Sequence, residues 1–201
     1  MKLKTLIIFS VILLAIILIY LKLPNGHSFN DSLQILKTRY QAKKLDSENN
    51  NFYHLKLSSK NLSKLEKCRV KAINKGVLTD DIQSYVNAVL KVGKSKYKVK
   101  VKLKGTLRSH WTDPLVWSYR VVIKNGFCHE NGLKVFSIQS GSQRGKVVDL
   151  YYHYFLKSSG LISMKYSNIN FAINESIIPG YAIEEFFDSP LIIRNNRQIG
   201  P

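Results

Sequence analysis

Acidic side chains are scarce in this chain: 13 Asp and Glu stand against 31 Lys and Arg, a formal charge of +18 over 201 residues. An excess of that size bears on partners and solubility and leaves the fold open. Cysteine is nearly absent. Cys68 and Cys128 are too few for a disulfide framework and too far apart in sequence for a CxxC metal or redox pair. Whether they bridge in an oxidising space or stay free is left open by their positions. Only five prolines, with 45 % hydrophobic residues, exclude a disordered tail or a collagen. The length supports one core and is short for two domains.

Long apolar runs are also rare, with one exception. Thr5 to Leu21 carries no charge and is flanked by Lys2, Lys4 and Lys22. As a helix it would extend about 26 Å at ~1.5 Å per residue, close to bilayer thickness, with Tyr20 as an interfacial anchor. The following LKLPNGHS offers no small-x-small cleavage site, which argues against a removable signal peptide. The expectation is a transmembrane anchor over residues 1–23 of a single-pass membrane protein. The lysines before the helix place the N-terminus in the cytoplasm and the bulk of the chain on the outer face.

Residues 24–78 are expected to form a juxtamembrane linker and helices. Asn30 or Asp31 caps a helix bearing Leu33, Leu36 and Tyr40, the polar stretch Asp46–Asn51 ends it, and Leu62, Leu65, Cys68 and Ala72 mark a second helix stopped by Gly76. Beyond Ile82 the period changes to two. Ser84–Val92 is rich in β-formers, Gly93-Lys94 reads as a hairpin turn, and Tyr97, Val99, Val101 and Leu103 alternate with Lys96, Lys98, Lys100, Lys102 and Lys104. Ser118–Lys124 and Lys134–Gln139 follow as strands. Ser142 caps a helix over Gly145–Ser158 with Val148, Tyr151, Tyr152 and Phe155 on its apolar side. A last hairpin turns at Pro179-Gly180. The fold class expected is α+β: a twisted antiparallel sheet with an inserted helix, behind helices and an anchor.

The lysine strand disfavours nucleic acid as partner, because one Tyr on its opposite face supplies no stacking platform. Solvated lysines that discourage strand-to-strand association are the simpler account. GSQRGKV (Gly141–Val147) is one residue short of a Walker loop and has Val147 where the magnesium-binding hydroxyl belongs. A Ser/Gly loop feeding a helix, with Arg144 and Lys146 beside it, still suits an anion. Cys128-His129-Glu130 is too compressed for a metal site. Asp80-Asp81 and Glu184-Glu185 are adjacent pairs whose side chains diverge on an extended chain.

The succession VKVKLKG (Val99–Gly105), WSYRVVIKNG (Trp117–Gly126), GLKVFSIQSGSQRG (Gly132–Gly145), GLISMKYSNINFAIN (Gly160–Asn174) and GYAIEEFFDSPLIIRNNRQIGP (Gly180–Pro201) resembles the CotH kinase family, the spore coat protein H-like atypical protein kinases. The resemblance implies that residues 79–201 are a kinase N-terminal lobe, truncated before the catalytic lobe, which in the complete domain binds ATP with Mg²⁺. It assigns Lys104, Arg120 and Arg144 to phosphate oxygens and Asp149 to orienting one of those bases. Glu184 or Glu185 would lie near the hinge, where the backbone of Glu185–Phe187 meets adenine. Three positions depart from the family pattern: Val116 replaces a Lys, Asp149 the more usual Glu, and Ile199 a common acid. No residue is placed to hold Mg²⁺ or to accept the substrate hydroxyl's proton. The expectation is a membrane-anchored, truncated CotH-like kinase, inactive alone, with a protein substrate. The alternative is a non-catalytic basic module binding anionic surface polymer, lipid or a protein partner.

Overall fold

The computed structural model describes residues 51–128, 131–140, 148–198 and 200. Among them, seven strands close into a barrel in the order β1-β2-β3-β4-β5-β7-β6. The strands are β1 (Phe52–Lys56), β2 (Val86–Val92), β3 (Ser95–Leu103), β4 (Tyr119–Ile123), β5 (Val135–Ser140), β6 (Tyr166–Ile173) and β7 (Ser176–Glu185). Three helices accompany them: α1 (Ser59–Lys75), α2 (Val148–Ser158) and α3 (Ser189–Arg194). Neighbouring strands are antiparallel except β1 and β6, which pair in parallel from Phe52↔Asn170 to Leu55↔Ile173 and shut the wall.

Alternation builds the core. Tyr97, Val99, Val101 and Leu103 of β3 are buried, while Lys96, Lys98 and Lys100 between them face solvent. Val121, Phe136, Ile138, Phe171 and Tyr181 complete the interior from the other strands. Each such side chain contributes about 1.5–3 kcal/mol on leaving water. Tyr181 also donates its hydroxyl to Trp117 O at 2.8 Å, and its ring lies 4.6 Å from Phe171. Helix α1 starts at Ser58, whose hydroxyl accepts from Asn61 N, and stops at Gly76, which takes φ 80°. It packs Leu65, Cys68 and Ala72 onto the core. Cys68 and Cys128 are both buried and are not joined in a disulfide.

The expected architecture is therefore corrected. These residues form a closed barrel and not the sheet of a kinase N-terminal lobe. The cause is β1, a strand the sequence reading missed, whose FYHLK pairs with β2 on one side and β6 on the other. The single-pass membrane placement is corrected too. Among the described residues no helix is long and apolar enough to cross a membrane, and the longest, α1, carries six bases. The run Thr5–Leu21, the helix around Leu33–Tyr40, Ser142 and Arg144 lie outside the described residues.

The last hairpin also turns elsewhere. Ile173 pairs with Ser176, so the chain reverses at Asn174-Glu175, with Asn174 at φ 48°. Pro179-Gly180 sits inside β7 at the register shift between Ile169 and Phe171, a bulge that accommodates a residue without an N–H. Helix α2 differs from its expected packing: Tyr151, Tyr152 and Phe155 are exposed, and His153 is its buried residue.

Candidate functional site

Strand register sets one outer row of polar side chains across the wall. Lys102 of β3 stands opposite Arg120 of β4, Arg120 opposite Ser137 of β5, and Ser137 opposite Glu184 of β7. Their chain neighbours Val121, Phe136, Ile138 and Ile183 point inward, so this row must face outward. Lys104, just past β3, joins it. Its ammonium donates to Gln139 Oε1 at 2.6 Å and forms an ion pair with Glu184 Oε2. Gly105 then turns the chain at φ +97°; a Cβ there would stand 2.3 Å from the His110 ring.

Beside this row is a cavity of about 410 Å³, with Tyr85, Lys102, Lys104, Arg120 and Phe186 in its wall. The Arg120 guanidinium lies 4.2 Å over the Phe186 ring, and the Lys102 ammonium 5.3 Å from the Tyr85 ring. Burial pulls Arg120 below its ordinary pKa, while the Glu184 carboxylate and Tyr85 act the other way. Burial likewise raises Tyr85, against the opposing charge of Arg120.

The hydrogen-bond inventory of the row is incomplete. Arg120 Nη1 and Ser137 Oγ are both buried, and neither has a partner among the described residues. A buried donor on a charged group left unpaired costs about 1–3 kcal/mol or more. Three bases, Lys102, Lys104 and Arg120, line the cavity and suit an anionic oxygen there, while Ser137 lies sealed behind Arg120.

Lys104, Arg120 and Glu184 are thus brought together. Glu185 is not; alternation turns it the other way, where it accepts from Arg194 Nη2 at 2.6 Å, from Arg194 Nη1 and from Lys165 N at 2.8 Å. Two of the backbone groups expected to meet adenine are already engaged, Glu185 N with Lys165 O and Phe186 N with Val135 O. Asp149 lies half-exposed in the first turn of α2 and forms no ion pair among the described residues. The sequence reading missed Ser137 and Gln139 as members of the site. Their signal was there: polar residues alternating with Phe136 and Ile138 on a strand, both buried.

Among the described residues no three His, Cys, Asp or Glu side chains converge to hold a metal ion. The groups present suit phosphate oxygens and not a magnesium cage, whose ligands would be oxygen atoms around an octahedral ion. No protein-family model matches this chain, and neither does any curated protein.

Proposed function

We propose that the chain binds the phosphate groups of a nucleotide on the outer wall of the barrel, as the nucleotide-binding part of a CotH-like kinase. The observation that carries this reading is the convergence of Lys102, Lys104 and Arg120 on one cavity of the outer wall. The five sequence blocks that resemble the family support it. In this reading Arg120 hydrogen-bonds the phosphate, Lys102 supplies charge at the rim, and Lys104 is aimed by Glu184 and Gln139. Titration of the full chain with ATP and Mg²⁺ tests it. Weak binding is expected, lowered about tenfold or more by Arg120→Ala, since a hydrogen bond to a charged group contributes about 1.5–3 kcal/mol. Affinity indifferent to both Arg120→Ala and Lys104→Ala removes the reading.

A second reading has one observation in its favour. Lys96, Lys98 and Lys100 are exposed along the same outer face and lead to Lys102. A polyanion would follow that stripe, with affinity rising with its length and falling steeply with salt. It would respond to Lys98→Ala and Lys100→Ala more than to Arg120→Ala.

A further inference from the structure

A separate groove opens at the end of the barrel where β1 and β6 finish and β4 begins. Its volume is about 790 Å³, the size of small-molecule sites, for which barrel mouths are a common location. Leu62 of α1 forms one wall, Val116 and Trp117 a second, and Ile173 and Ile177 of the last hairpin a third. Leu115, 76 % exposed, extends the apolar surface at the rim.

These walls are held in place. Trp117 Nε1 donates to Asp113 O at 2.9 Å, and Trp117 O accepts the Tyr181 hydroxyl. The Arg69 guanidinium lies 5.4 Å from the Trp117 ring. Across the groove Asn174 Oδ1 accepts from Leu57 N at 2.7 Å. A cleft framed this way is preformed, which lowers the ordering cost of binding.

Charge narrows the occupant. Among the described residues the one charged member of the lining is Glu66, and its carboxylate accepts from Arg69 Nη1 at 2.8 Å. Arg69 is itself anchored to Trp111 O and Thr112 O. In a chain of net charge +18 this groove is therefore close to neutral. A carboxylate or phosphate head would meet Glu66, with no Lys or Arg among the described residues of the lining to receive it. An ammonium head would meet a carboxylate that Arg69 already neutralises and that is 42 % exposed to water, so it would gain little there. Neutral hydroxyls remain, from Ser59 and Ser63 on α1.

We infer that this groove binds an uncharged amphiphile, an alkyl or acyl chain with a neutral hydroxylated head. The chain lies against Val116, Trp117 and Ile177, and the head reaches Ser59 and Ser63. This site is distinct from the Lys104–Arg120 row, so either can fail without the other.

The test uses the full chain and a photoactivatable diazirine analogue of decanol, with labelled peptides mapped by mass spectrometry. Labels are expected within residues 59–66, 114–119 and 173–178. Decanol should compete, while decanoate and decylamine at the same concentration are at least tenfold weaker. Ser63→Trp, at an exposed position, fills the groove, and Leu115→Asp charges its rim. Each should cut labelling at least fivefold with the melting temperature unchanged. Labelling mainly elsewhere, labelling insensitive to Ser63→Trp, or decanoate competing as well as decanol overturns the assignment. So does sedimentation showing that Leu115→Asp splits a dimer, which would make a second copy the occupant.

Discussion

Glu184 and Glu185 are neighbours in sequence, yet they end in opposite kinds of arrangement. Glu185 is 5 % exposed, and its carboxylate is closed off by Arg194 and the Lys165 amide, which tie α3 and the start of β6 to the end of β7. Arg194 spends its other contact on Ser163 O at 3.1 Å. Both oxygens of the Glu185 carboxylate are answered within the protein. On the other face Glu184 answers Lys104, while the buried Arg120 Nη1 and Ser137 Oγ have no partner among the described residues. The contrast separates structure from function: a charge cluster that satisfies itself holds the fold, and one that leaves buried donors over is built for something else.

The largest expected effect tests the closed clasp. Glu185→Ala strips Arg194 and the Lys165 amide of their acceptor and should destabilise the fold by about 3 kcal/mol. Chemical denaturation measures it, and a loss below about 1 kcal/mol would break the comparison. Glu184→Gln should act on the open side in the opposite sense. It removes the one acid of the row, so phosphate or ATP affinity is expected to rise threefold to tenfold with a steeper salt dependence, while stability falls less than in Glu185→Ala because Gln keeps an acceptor for the largely buried Lys104. Unchanged affinity in calorimetry would mean that Glu184 belongs to the fold as much as Glu185 does.

The smallest effect concerns a third pairing, on the surface. Asp81 is fully exposed, and hydrogen bonds from Thr79 and then Lys75 hold its pKa below the ordinary carboxylate value. Its folded value lies below the unfolded one, so its stabilisation is present above the usual carboxylate range and is lost as pH falls through the folded value. Melting curves of wild type and Asp81→Asn should therefore differ slightly near neutral pH and converge at low pH. A gap that persists in acid would give Asp81 a role unrelated to its charge.

Much of the wall was legible from residue spacing. The alternation from Tyr97 to Leu103 matches β3, Gly93-Lys94 is its turn, and Leu65, Cys68 and Ala72 are the buried stripe of α1 before Gly76. Closure was not legible. The β1 segment FYHLK is short and buried at four successive positions, so it shows no period-two signature, and its β6 partner lies far along the chain. The Pro-Gly pair misled because a bulge and a turn ask for the same residues. Of the candidate site, Lys104, Arg120 and Glu184 were named from the family resemblance. Ser137 and Gln139 needed register, because only cross-strand pairing sets them beside Arg120 and Lys104.

The parallel seam between β1 and β6 also has a temporal side. The hydrogen bond from Asn51 Nδ2 to Asn168 O links groups 117 positions apart, so the first strand to leave the ribosome must wait for one of the last. Until then the nascent sheet has two raw margins able to recruit other chains. Sealing them brings together segments far apart in sequence, a pairing of high contact order that slows folding as a class.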